Sequence, residues 1–164
     1  MQIALKLREQ LENRGITVVM TREEDAGLYE EEARNKQVQD LQRRCERIEG
    51  AEPVCAVSIH QNSYPDESVK GAQVFYYKNS REGRRLAEQI QESLRENTDP
   101  DNKREAKGDA SYYLLKNTDV PLVIVECGFL SNREEAELLT QESYQERLAE
   151  AVAEGIAGYL KESG

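Results

Sequence analysis

The sequence lacks any apolar stretch approaching the roughly 20 residues that a bilayer-spanning helix needs, which excludes a membrane span. Its opening, Met1-Gln2-Ile3-Ala4-Leu5-Lys6, has no uninterrupted apolar block of the kind a signal peptide carries, so no export address is legible in it. Positive charge is short as well. Twenty-two Lys and Arg stand against 32 Asp and Glu, a net charge of −10. Such a balance repels phosphate backbones and argues against nucleic acid as a partner; its plainer meaning is solubility. There are three cysteines, Cys45, Cys55 and Cys127, an odd number without metal-ligand spacing. Each falls in an apolar or helical pattern and reads as a small buried hydrophobe, so a disulfide scaffold is not expected. Histidine is scarcer still, with His60 alone. No internal repeat and no second domain can be made out, and residues 1–164 are one domain by size, long enough to bury a core.

What is present is a regular alternation of short apolar runs and amphipathic stretches. Ile3, Leu7 and Leu11 recur every four residues and Gly15 follows where a left-handed cap commonly ends a helix. Residues 16–20 form a compact apolar strand, and a polar turn comes after it. Val38, Leu41, Cys45 and Ile48 step along one face of a helix over about residues 31–48, which Gly50 and Pro53 terminate. The run 54–59 is a buried strand ending at His60, and residues 61–71 carry the composition of a loop over a site mouth. Residues 73–77 form a further strand. Ser80 caps a helix striped by Leu86, Ile90 and Leu94, and residues 98–108 read as the least structured segment. The run Leu122-Val123-Ile124-Val125 ends in Glu126 and breaks at Gly128. Ser131-Asn132-Arg133-Glu134 then has capping-box spacing, and a last helix over about residues 143–160 aligns Leu148, Val152, Ile156 and Tyr159. Helices between strands at this spacing imply an α/β fold, a three-layer α/β/α arrangement around a mostly parallel sheet.

Two residues carry chemistry. In open α/β sheets the reacting groups gather at the carboxyl ends of strands, and there the chain delivers the His60 imidazole and the Glu126 carboxylate. Imidazole is the commonest protein ligand for zinc, and a hydrolytic zinc site wants a carboxylate beside it to take and return a proton. The bland alternative for a lone histidine beside a strand is a hydrogen-bonded structural residue. Glu126 is harder to dismiss, since an acidic residue closing an apolar run is costly to desolvate without a partner.

The flanks make the pair specific. Val57-Ser58-Ile59-His60-Gln61-Asn62, Gly71-Ala72-Gln73-Val74-Phe75-Tyr76-Tyr77 and Ile124-Val125-Glu126-Cys127-Gly128-Phe129-Leu130-Ser131-Asn132 together resemble the zinc-dependent N-acetylmuramoyl-L-alanine amidases, the type 3 amidases that trim bacterial peptidoglycan. The resemblance covers nearly the whole chain. Residues 21–29, Ala106-Lys107, residues 112–116 and Tyr144-Gln145-Glu146 look most like the germination-specific, spore-cortex branch. The resemblance implies one zinc held by two histidines and a glutamate, with a further glutamate acting on the metal-bound water. His60 matches the second histidine ligand and Glu126 the catalytic glutamate. The reaction implied is cleavage of the amide between the lactyl group of muramic acid and L-alanine, outside the cytoplasm, in the cell wall or the forespore intermembrane space.

Weaker expectations attach to other polar residues. Asn62 and Ser63 follow the ligand strand and are candidates for substrate amides or sugars, with ordinary loop chemistry as the alternative. Lys103, Arg104 and Lys107 are candidates for peptide carboxylates, with a solvated charged loop as the alternative. Tyr112 and Tyr113 could stack on a sugar or simply pack.

The resemblance also implies parts that these residues do not include. The family's first strand ends in an Asp-Pro-Gly-His-Gly-Gly motif that supplies one zinc histidine, and its glutamate ligand precedes the helix that opens this chain. With two of three protein ligands missing, the expectation is a truncated amidase domain, inactive or nearly so in this form. An unpaired sheet edge is expected beside the missing strand, with homodimerisation or an activating partner protein as ways to cover it. The reading from a different class is a metal-free protein that binds peptidoglycan or a partner on the same scaffold. Another zinc hydrolase, such as a carboxypeptidase on a related sheet, is disfavoured by the flanking motifs.

Overall fold

The computed structural model describes residues 1–163. Ten elements follow one another: α1 (Gln2–Glu12), α2 (Lys36–Gly50), β1 (Ala56–Asn62), β2 (Gln73–Tyr77), α3 (Arg81–Asn97), β3 (Lys107–Asp109), α4 (Tyr113–Lys116), β4 (Leu122–Phe129), α5 (Arg133–Leu139) and α6 (Glu142–Ser163). The strands form one sheet in the order β1-β4-β2-β3. Two of the three pairings, β1 with β4 and β2 with β3, are parallel; β2 runs antiparallel to β4.

Every residue of β4 is buried, as the apolar run Leu122–Val125 leads one to expect of a strand covered on both faces, and the burial extends to Glu126. Alternation divides it. Val123, Val125 and Cys127 enter a large core with Ile3, Leu7 and Leu11 of α1, Leu86, Ile90 and Leu94 of α3 and Leu148, Val152 and Ile156 of α6. Leu122 and Ile124 face a smaller cluster with Phe75, Leu114, Leu115, Cys45 and Ile48 under α2 and α4. These are the outer layers of an α/β/α fold. Each fully buried Leu or Ile in the larger core contributes on the order of 1.5–3 kcal/mol through apolar surface withdrawn from water.

The helix stripes read from the sequence recur except at Val38, which is exposed in the first turn of α2, and capping explains the helix boundaries. Asn35 accepts from Val38 N and starts α2 later than residue 31, leaving residues 21–35 without regular structure. Ser80 accepts from Gly83 N at the start of α3. Asn132, not Ser131, caps α5, accepting from Glu135 N, so the box is shifted by one residue. The stretch 98–108 is more ordered than its composition predicts, because β3 pairs with β2 and Asn102 donates to Ala72 O.

Residues 16–20 are the clear departure. They belong to no ladder; β1 borders the sheet, and a cleft of about 1530 Å³, lined from both sides, lies between it and this segment. A strand exists only through its pairing, and here the gap forbids one.

Candidate active site

Register brings the two candidate residues together. From Ala56↔Leu122 to His60↔Glu126, β1 and β4 run in step, then slip so that Asn62 pairs with Phe129. Residues directly across a ladder share a face, and i, i+2 residues share it too, so Ser58, His60, Ile124 and Glu126 line the side of the smaller core. Antiparallel β2 adds Gln73, directly across from Glu126, and Phe75, across from Ile124.

The imidazole is exposed, and its Nε2 lies 2.9 Å from Ser58 Oγ. It lines the cleft together with Arg22 and Arg44. Solvent reaches the ring, yet the surrounding protein desolvates it, and desolvation, followed by the positive charges of Arg44 and Arg22, holds its pKa below the ordinary imidazole value.

Glu126 sits deeper, 5% exposed. Tyr112 OH donates to its Oε1 at 3.2 Å, while Oε2 is buried and without a hydrogen-bond partner. Burial raises the carboxyl pKa above the usual range and the Tyr112 hydrogen bond offsets part of that rise. Tyr112 is itself held firmly. Its backbone N–H donates to Asp109 Oδ1, which also accepts from Ser111 N and Oγ, and its ring lies 5.4 Å from that of Phe75. Burial and the adjacent Glu126 charge push its phenol up to about 12.

Arg104 is anchored rather than free in a loop. Its Nε donates to Lys70 O at 2.8 Å, one terminal nitrogen donates to Gln73 Oε1 at 3.0 Å, and the guanidinium lies 4.9 Å above the Phe129 ring. Gln73 in turn donates to Glu105 O. Lys107 reaches over Phe75, 6.0 Å from the ring centroid. Asn62 is the last residue of β1 and Ser63 follows it. The Asn62 side chain accepts from Ser63 N, its carbonyl accepts from Leu130 N, and Ser63 is exposed.

Three residues of this neighbourhood escape a reading of the sequence. Gln73 could have been found from β2 alternation, which puts it on the Phe75 face. Tyr112 looked like packing or a sugar platform, and nothing local marks it as the partner of Glu126. Glu135 is hidden by the shifted cap. Its buried carboxylate accepts from Gly71 N at 2.8 Å and Phe129 N at 2.7 Å, stitching the 63–71 loop to the end of β4. Gly128, at φ +155°, leaves room for it; a Cβ there would lie 3.3 Å from the Glu135 carboxyl.

The implied zinc can be tested against this donor set. Among the described residues no three His, Cys, Asp or Glu side chains converge to hold a metal. One imidazole beside one carboxylate falls short of the three protein ligands a catalytic zinc takes, so these residues do not by themselves fit a complete zinc site. Cys127 offers no substitute, since it points into the larger core on the opposite face from Glu126. What the pair can do is proton chemistry: a desolvated carboxylate with one oxygen pinned and the other buried without a partner, across the ladder from an imidazole at the cleft wall.

Residues 1–158 match the family described as N-acetylmuramoyl-L-alanine amidase. The germination-specific N-acetylmuramoyl-L-alanine amidase of Bacillus subtilis is 36% identical over 167 aligned residues, spanning 100% of this chain and 70% of that protein. The probable cell wall amidase LytH of Staphylococcus saprophyticus is 28% identical, and the match spans 99% of this chain but 49% of that protein. Among solved structures, the CwlD amidase from Clostridioides difficile in complex with the GerS lipoprotein superimposes with a TM-score of 0.94 at 43% identity, covering 98% of this chain and 83% of that one.

Proposed function

This chain belongs to the N-acetylmuramoyl-L-alanine amidase family, and from that premise we propose that it serves the germination-specific branch, hydrolysing the amide between the muramic acid lactyl group and L-alanine in spore-cortex peptidoglycan. The observation that carries the reading is the pairing of His60 with Glu126 across β1 and β4, with one Glu126 oxygen buried and partnerless.

In this reading Glu126 is the proton-transfer group. Its unpartnered oxygen takes a proton from the water that attacks the amide carbonyl and returns it to the departing amine of L-alanine; its raised pKa suits both halves of that exchange. We assign His60 as one zinc ligand. Among the described residues there is no full ligand set. Asn62 and Ser63, at the end of β1, are assigned to the glycan side of the substrate. Arg104 and Lys107, on the β2–β3 side of Glu126, are assigned to carboxylates of the stem peptide. The action is at the cell wall, in line with the cell wall relatives. A protein partner is also part of the reading, because the related CwlD amidase was solved bound to a lipoprotein. The unpaired edge of β1 is a second place for a partner or another copy of the chain.

The test supplies zinc and purified muropeptides and follows release of peptides with free L-alanyl amino termini by mass spectrometry. Hydrolysis that falls at least about 100-fold in Glu126→Gln supports the assignment; cleavage of glycosidic bonds alone overturns it. The short ligand set favours one other reading, a binding protein on the amidase scaffold. It predicts retention on peptidoglycan sacculi, unchanged by Glu126→Gln, with no hydrolysis.

A further inference from the structure

The carboxylate assigned to proton transfer is asymmetric. Oε1 receives the Tyr112 hydroxyl at 3.2 Å; Oε2 receives nothing. Tyr112 cannot easily turn away. It stands immediately before α4, its backbone N–H bound to Asp109, whose carboxylate is occupied three times over by Ser111 N, Ser111 Oγ and Tyr112 N. The ring is wedged at an interplanar angle of 51° against Phe75, a buried residue two positions along β2 from Gln73, which faces Glu126. A side chain with few free torsions, held at both backbone and ring, presents its hydroxyl at low entropic cost.

We propose that Tyr112 is a positioning residue for Glu126: its hydroxyl pins Oε1 and fixes the carboxylate rotamer, leaving the buried, unpartnered Oε2 as the oxygen free for proton transfer. The assignment rests on the proposed role of Glu126. Without the hydroxyl, neither oxygen would be held and the carboxylate would rotate about its last torsion. The productive geometry would then be one state among several.

The direct test is Tyr112→Phe, which removes the donor and keeps the ring, with Tyr113→Phe as the control. In the zinc-supplied protein, Tyr112→Phe lowers kcat about tenfold while KM stays within about twofold, a loss of the size one hydrogen bond confers. The same change made in a Glu126→Gln background has no further effect, because the pair acts as a unit. A second measurement needs no turnover. With ζ-carbon-labelled tyrosine, the Tyr112 resonance at neutral pH moves in Glu126→Gln and the Tyr113 resonance does not. An unmoved Tyr112 resonance, or full kcat in Tyr112→Phe alongside a dead Glu126→Gln, overturns the positioning role and leaves the role of Glu126 standing. Full turnover in Glu126→Gln instead removes the proposed function, and the positioning role with it.

Discussion

His60 and Glu126 face one another across adjacent parallel strands, partners in the last in-register pair before the ladder slips. Their closeness is set by the backbone of the most buried strand in the molecule, so it does not depend on the loops above.

That placement has a stability consequence. Glu126 is 5% exposed with one oxygen unpartnered, and its folded pKa lies above the unfolded carboxyl value of about 4.5. A raised carboxyl pKa means that the folded state binds the proton more tightly than the unfolded chain. Stability is therefore lost as pH climbs from about 4.5 through the folded pKa, and stays lost above it. Glu126→Gln is expected to raise the unfolding free energy of the metal-free chain at pH 7 by about 1 kcal/mol. Denaturant titrations at a series of pH values check this, and the gap between variant and parent should narrow as pH falls through the raised pKa.

Asp109 behaves with the opposite sign. Hydrogen bonds from Ser111 first, then from the Ser111 and Tyr112 backbones, hold its pKa below 3.8 against the opposing effect of burial. A depressed carboxyl contributes stability that is present above the unfolded pKa and lost as pH falls through the folded one. Asp109→Ala should destabilise the chain at pH 7, and the difference should begin to shrink near pH 3.8 and fade as pH falls through the lower folded pKa. Thermal melts at pH 7 and in strong acid measure both arms.

Gly155 of α6 meets α3 backbone to backbone. A Cβ there would lie 2.5 Å from Ile90 Cα and 2.9 Å from Ile90 N, contacts that no rotamer change relieves. Alanine ordinarily favours a helix over glycine by about 0.5–1 kcal/mol. Here overpacking dominates, and Gly155→Ala is expected to destabilise by about 1–3 kcal/mol, read from the denaturant midpoint.

The cysteines should be inert in the folded chain. Cys127 is fully buried and Cys45 nearly so, and desolvation pushes the Cys55 thiol up to about 11. Thiolate is the reactive form, so iodoacetamide at pH 8 should label all three only after denaturant is added. Rapid labelling of the native chain at Cys55 would show that this part of the cleft wall opens.

Much of this architecture can be read from the sequence because its signals are periodic. Leu86, Ile90 and Leu94, or Leu148, Val152 and Ile156, declare their faces through spacing alone, and the apolar run of β4 declares a doubly covered strand. Residues 16–20 carry an equally good strand composition, yet pairing is a property of neighbours and no local pattern records a missing one. The site divides in the same way. His60 and Glu126 are visible because each closes an apolar run, and their adjacency follows from which strands pair. Gln73, Tyr112 and Glu135 gain their roles only through partners 53, 14 and 64 positions away, at Glu126 for the first two and at Gly71 for the third.

Because successive side chains of β4 serve opposite layers, the residues that hold the molecule together and those assigned to its chemistry alternate along a single strand. Val123, Val125 and Cys127 anchor α1, α3 and α6; Glu126 and its surroundings border the layer of α2 and α4. Selection can therefore remodel the reactive side, exchanging specificity or extinguishing activity altogether, while leaving the principal core untouched. A scaffold divided in this way tolerates functional drift without unfolding.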